Sequence, residues 1–102
     1  MRFESGYWNR AGIRPAVVVQ IDRANTASPH TIIVPFTTKI RQVLFPSHAL
    51  VPAGKGGLSQ DSVALCEQVR VIDIRRVVKS LGRLESTDFA KIESALRTIL
   101  GL

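Results

Sequence analysis

The sequence predicts a mainly β fold with a helix at its end: a small, strongly bent β-barrel with the helix packed against it. Three observations point there. Short β-branched runs alternate with turn chemistry from Gly6 to Leu84, the tail alone shows helical spacing, and the chain has 102 residues, enough for one compact domain over residues 1–102. Hydrophobic residues make up 45% and charged residues 22%, a globular rather than a disordered balance.

The elements follow in order. Gly6-Tyr7-Trp8-Asn9 reads as a short strand. Arg14 to Asp22 is a near-continuous β-branched run, suited to a strand buried on both faces, and Pro15 is tolerated near its start. Arg23 to Pro29 is turn chemistry, and His30 to Phe36 is the next strand, ended by Thr37-Thr38-Lys39. Ile40 to Pro46 reads as loop, Ser47 to Val51 as strand, and Pro52 to Gly57 as a flexible turn. Asp61–Cys66 and Gln68–Ile72 read as two further strands. Asp73 is placed to cap a helical turn through Val78, and Gly82-Arg83-Leu84 is a short strand or connector. Ser86 or Thr87 can cap a helix to about Leu100, with Phe89, Ile92, Leu96 and Ile99 as its apolar stripe and Gly101 as its stop.

Composition also excludes. No apolar run approaches the roughly 18–20 residues that cross a bilayer, and Met1 to Arg10 lacks the apolar core of a signal peptide. Cys66 is the single cysteine, so no intramolecular disulfide forms, and the expectation is a reduced, cytoplasmic protein with Cys66 as core filler. No Cys/His or Asp/Glu cluster has metal-ligand spacing, and Gly54-Lys55-Gly56-Gly57 lacks P-loop spacing, so no metal or cofactor is expected. The net charge is +6, with twelve Lys/Arg against five acids up to Arg83 and two against three beyond. Such a basic surface suits a polyanion, nucleic acid first, or is simply a solvated face.

Several runs, taken in order, resemble the MazF/PemK toxins. Arg14-Pro-Ala-Val-Val-Val-Gln20 resembles their R-P-V-V-V-x-Q strand, and Asp22 with Asn25 their N-D-x-x-N turn. Val34-Pro-Phe-Thr-Thr38 is similar to V-x-P-L-T-S, and Phe45-Pro-Ser-His48 to L-P-T-H. Gly57-Leu58 with Asp61-Ser-Val63 resembles G-L-x-x-D-S-V, and Glu67-Gln-Val-Arg-Val-Ile-Asp73 resembles E-Q-I-R-T-I-D. The resemblance implies an SH3-like barrel of the kind shared with CcdB-type toxins, a homodimer, a cognate MazE-like antitoxin as partner, and metal-independent cleavage of single-stranded RNA. It further implies Arg14 and Thr37 as the catalytic pair. Thr38, Lys39, Gln68, Arg70 and Asp73 become the candidates for RNA contact.

Chemistry supports that pairing. Metal-free RNA cleavage sends the ribose 2′-oxygen onto the adjacent phosphorus, and charge grows on the phosphate oxygens. A guanidinium meets a phosphate as a planar fork, and a threonine hydroxyl can donate one more hydrogen bond. A guanidinium is no general base, so the proton acceptor stays open; His48 occupies a family position usually regarded as structural, and His30 is weaker still. Only Arg10-Ala-Gly-Ile13 separates Asn9 from Arg14, where most members carry a long loop whose acidic residue has been proposed as the base in some of them. Two rival readings stand beside this one. A CcdB-type gyrase inhibitor would end Trp-Gly-Ile, whereas this chain ends Ile99-Leu-Gly-Leu102. A non-catalytic SH3-like nucleic-acid-binding module would share the basic charge.

Overall fold

The structure, a computed structural model, describes residues 4–9, 13–40 and 45–102. Residues 10–12 of the shortened loop, residues 41–44 of the Ile40–Pro46 segment and the first three residues lie outside the described part. The strands are β1 (Glu4–Asn9), β2 (Ile13–Val18), β3 (His30–Thr37), β4 (His48–Val51), β5 (Ser62–Leu65), β6 (Arg70–Asp73) and β7 (Val77–Arg83). The helices are α1 (Asp22–Ala27) and α2 (Ser86–Leu100). Short 3-10 turns occupy Lys55–Gly57, Cys66–Gln68 and Ile74–Arg76.

All seven strands form one antiparallel sheet ordered β4-β5-β3-β2-β1-β7, with β6 pairing β3 beside β5. Strand β3 is the spine: β2 runs along one edge, β6 and then β5 along the other. Ala16, Val17 and Val18 are buried in succession, so β2 is covered on both faces as its β-branched run predicts. On one face Val17, Val34, Phe36, Val51, Ala64, Cys66, Phe89 and Ile92 form the main core beneath α2; on the other, Ala16, Val18, Ile33 and Ile72 form a smaller one with Val77.

Among the described residues no ladder joins β4 to β7, so the small barrel closes another way. The segment leading from β4 to β5 presses its backbone onto β7: a Cβ added at Gly57 would stand 2.0 Å from the Leu81 carbonyl oxygen. Asp61 accepts the Ala53 N–H at 2.7 Å, and Lys55 Nζ lies 3.2 Å from Glu85. The turn expected at Pro52–Gly57 is there: Pro52, Ala53 and Gly54 are exposed, and its Gly57 end packs on β7 as a seam.

Four expectations change. The β2 run stops at Val18, and the expected turn after it is the helix α1. Asn25 explains this: its Oδ1 accepts from Gln20 Nε2 (2.9 Å) and Thr31 Oγ1 (2.6 Å), while its Nδ2 donates to the Gln20 carbonyl (3.1 Å). That network winds residues 22–27 into a coil against β3, so two of the family-like positions serve the fold. Asp73 does cap a helical turn, accepting the Arg75 N–H, but the turn ends at Arg76 and all of Val77–Arg83 is strand. Neither Ser86 nor Thr87 caps α2. The N-cap is Glu85, whose carbonyl accepts from Phe89 N (3.0 Å), and Ser86 is already helical. Finally, Ile99 is 45% exposed in the last turn of α2, while Ala95 joins Phe89 and Ile92 in the core. Gly101 ends the helix as expected.

Candidate functional site

The register of β2 on β3 pairs Ala16 with Pro35, Val17 with Val34 and Val18 with Ile33. Carried two residues further, it sets Arg14 across from Thr37. Opposed residues in an antiparallel pair lie about 4.5–5.5 Å apart at Cα and share a face. The β2–β3 ladder itself ends at Ala16 and Pro35, and only its continuation would put Arg14 and Thr37 on one face; Arg14 is exposed and Thr37 half-buried. Thr37 Oγ1 accepts the Lys39 N–H at 3.1 Å, which fixes the hydroxyl and leaves its own proton to be donated elsewhere. Thr38 lies just past the end of β3, in a bend, and is exposed.

Beside Thr37, on its β5 side, lies a cavity of about 420 Å³. Val63, paired with Thr37, and Leu65 form an apolar floor; Thr37, Lys39, Glu67 and Gln68 are polar lining, and Phe45 and His48 complete the wall. Phe45 is 54% exposed and meets the His48 ring edge-on, centroids 5.3 Å apart at 72°. His48 Nε2 sits 3.2 Å from Glu67 Oε2; the imidazole is nearly enclosed (9% exposed) while the carboxylate opens to solvent (37%). An exposed aromatic face over an apolar floor, with a lysine, an amide and a carboxylate around it, can stack and hydrogen-bond a nucleobase.

The structure thus brings Thr37, Lys39 and Gln68 into one cavity with Arg14 on the next strand. It does not bring Arg70 and Asp73 there. Those two line a second cavity of about 340 Å³ with His30, Val71, Ile72 and Arg76. Asp73 is engaged by Arg75: Oδ1 accepts from its N–H (2.9 Å) and Nε (3.1 Å), Oδ2 from Nη2 (2.8 Å). Those hydrogen bonds hold the Asp73 carboxyl well below the usual carboxylate range. Sequence reasoning passed over Phe45, His48 and Glu67 as site residues. The available signal was their position inside the L-P-T-H-like and E-Q-I-R-like runs, which the fold folds onto each other through the β4–β5 pair.

Cys66 is fully buried, its thiol 3.7 Å from the Ile92 carbonyl, and burial together with the neighbouring Glu67 carboxylate pushes it up to about 12. It fills core, as expected. Among the described residues no group of three His, Cys, Asp or Glu could hold a metal ion, and no helix is long and apolar enough to cross a membrane.

Comparison with known proteins gives the family. Endoribonuclease EndoA of Bacillus subtilis (strain 168) is 34% identical over 93 residues, covering 91% of this chain and 80% of the relative. Among solved structures, an endoribonuclease in complex with its cognate antitoxin from mycobacterial species superposes with a TM-score of 0.89 at 20% identity, covering 100% of this chain and 95% of that one. The Mycobacterium tuberculosis toxin MazF-mt6 gives 0.86 at 19%, covering 97% of each, and a MazE–MazF structure from Deinococcus radiodurans gives 0.84 at 22%, covering 99% and 94%. At such identities the structures establish the fold, the small-barrel architecture of MazF toxins. Residues 5–100 match the family described as PemK-like, MazF-like toxin of type II toxin-antitoxin system, and to that family the chain belongs.

Proposed function

We propose that this toxin is a metal-independent endoribonuclease that cleaves single-stranded RNA and is silenced by an acidic antitoxin lying in the same groove. The observation that carries the reading is the cavity at the end of β3, where Thr37, Lys39, Phe45, Glu67 and Gln68 meet, with Arg14 near the start of the neighbouring strand β2. The 34%-identical relative that is itself an endoribonuclease supports it.

The steps follow from the groups present. The base on one side of the scissile bond rests on Phe45, with Gln68 and Lys39 around it. The phosphate lies between Arg14 and Thr37. Glu67, held by His48, takes the proton of the ribose 2′-hydroxyl, and the 2′-oxygen attacks phosphorus. The Arg14 guanidinium and the Thr37 hydroxyl donate to the oxygens on which charge accumulates. The bond to the 5′-oxygen breaks as that oxygen takes a proton from water, leaving a 2′,3′-cyclic phosphate and a free 5′-hydroxyl. Losing one donor to such a transition state costs about 2.7–4 kcal/mol.

A homodimer places two such sites along one basic surface, and symmetric pairing is the commonest way for a domain this small to cover apolar area. An acidic, extended antitoxin segment that folds as it binds would compete with RNA for that surface. The experiment is direct: pure protein with single-stranded RNA in excess EDTA should release discrete fragments bearing 5′-hydroxyl ends. Arg14→Ala should abolish the fragments with the fold intact. Arg14→Ala cutting at wild-type rate would overturn the assignment, and RNA binding without fragments would make the chain a binding module.

A further inference from the structure

One side chain of the Thr37 cavity departs from the family run it sits in: Phe45 stands where L-P-T-H has leucine. Its ring is exposed, yet its place is fixed by the chain around it. Phe45 to His48 is a closed turn, with Pro46 where proline presets the backbone and the His48 N–H donating to the Phe45 carbonyl at 2.9 Å. The Ser47 carbonyl accepts the Cys66 N–H at 3.0 Å, which ties the turn to the end of β5. The His48 ring meets the Phe45 ring at 72°, and is itself nearly enclosed and held by Glu67. A contact of that kind covers at most one face of the phenyl ring. The other face is left open beside a cavity of about 420 Å³ floored by Val63 and Leu65.

We propose that Phe45 determines specificity: it is a rigid platform on which the cavity stacks a purine in preference to a pyrimidine. The proposal rests on the endoribonuclease reading and names the class of base that its cavity takes. Stacking grows with the overlap of flat surfaces, so a two-ring base gains more from a phenyl face than a one-ring base does. Leucine at the same point would offer a branched, uneven surface and little of that difference. The volume lies within the range of small-ligand sites, so the larger base is not turned away. The polar lining favours the same choice. Purines alone carry N7, an acceptor shared by adenine and guanine, and Lys39 brings a donor to the cavity. The turn matters as much as the ring, since a platform already fixed loses little freedom when a base lands on it.

The test uses two short, fluorescein-labelled, fully 2′-O-methylated RNAs, one of mixed A and G and one of mixed C and U, followed by anisotropy at a single salt concentration. Neither has a 2′-hydroxyl to attack, so binding is read whether or not the protein is a nuclease. The wild type should bind the purine strand more tightly. Phe45→Leu changes an exposed side chain to the family residue and should keep the circular dichroism spectrum. It should weaken purine binding by about fivefold or more, the lower end of what one stacked base contributes, and change pyrimidine binding little. Phe45→Trp should keep the preference. On cleavable RNA, Phe45→Leu should lose rate most at cuts beside a purine. Equal binding of the two strands by the wild type overturns the proposal and leaves the open phenyl face to a protein partner. A purine preference that survives Phe45→Leu also overturns it and places the preference elsewhere on the surface. If the wild type cuts no RNA, the nuclease reading falls on that result alone, and the binding ratio still decides the role of Phe45.

Discussion

Gly57→Ala and Gly54→Ala together test how the barrel is closed. Both glycines lie in the left-handed region, at φ +75° and +89°, so alanine strains either backbone by about 1–2 kcal/mol. Their surroundings differ. A Cβ at Gly54 meets nothing within 4 Å, whereas at Gly57 it would stand 2.0 Å from the Leu81 oxygen and 2.7 Å from its carbonyl carbon. Comfortable carbon contacts begin at about 3.5 Å, so the turn and β7 must part by more than an ångström. Overpacking of this kind adds about 1–3 kcal/mol. Gly54→Ala should therefore lose about 1–2 kcal/mol and Gly57→Ala about 2–5, from a total stability of about 5–15. Urea unfolding followed by circular dichroism, with both variants and the wild type side by side, measures the difference. Equal losses would mean that the 52–57 segment does not hold β7, and the seam would have to be given up.

Three further outcomes are expected. Thr37→Val should slow RNA cleavage by about a hundredfold or more, the usual loss for one transition-state donor, and Thr38→Val should do much less; single-turnover rates reversing that order would assign the donor to Thr38. Cys66 should resist a thiol reagent at pH 8 in the folded protein and react only on unfolding. Because its folded value is raised, the stability it contributes is complete below the ordinary thiol range near pH 8.5 and is lost as pH climbs toward 12, which alkaline unfolding curves should show. Asp73 is shifted the other way: its contribution stands above about pH 3.9 and fades on acidification below it, and Arg75→Ala should return its NMR titration midpoint toward that value.

Much of this was legible before any coordinates. The β-branched run through Val19, the helical spacing of Phe89 and Ile92 and the stop at Gly101 each carry a local cause that nothing distant overrides. What escaped was decided by partners far along the chain. The segment from Val77 to Arg83 has no clean alternation, and it becomes strand because it pairs with β1 through a register that shifts twice. Residues 22–27 look like a turn, and they coil because Asn25 finds both Gln20 and Thr31. At the site, Arg14 and Thr37 could be named from their motifs, but that they end neighbouring strands follows only from the pairing of β2 with β3. Phe45, His48 and Glu67 gain their meaning only when β4 folds onto β5. The separation of Arg70 and Asp73 from the cavity at Thr37 could not be read from a motif in which Gln68 and Arg70 stand only two residues apart.

The position of β3 also constrains how such an enzyme could be controlled. Inner strands of a sheet exchange their amide hydrogens slowly, because exposing one requires opening the ladders on both flanks, and here those ladders hold most of the molecule together. Thr37 ends that strand, paired with Val63 of β5, so its backbone is tied to the body of the sheet. A change of temperature or solvent large enough to open those ladders threatens the entire domain. Control of this protein has to come from outside, through whatever occupies the groove and for how long, and the active geometry would be ready as soon as the occupant leaves.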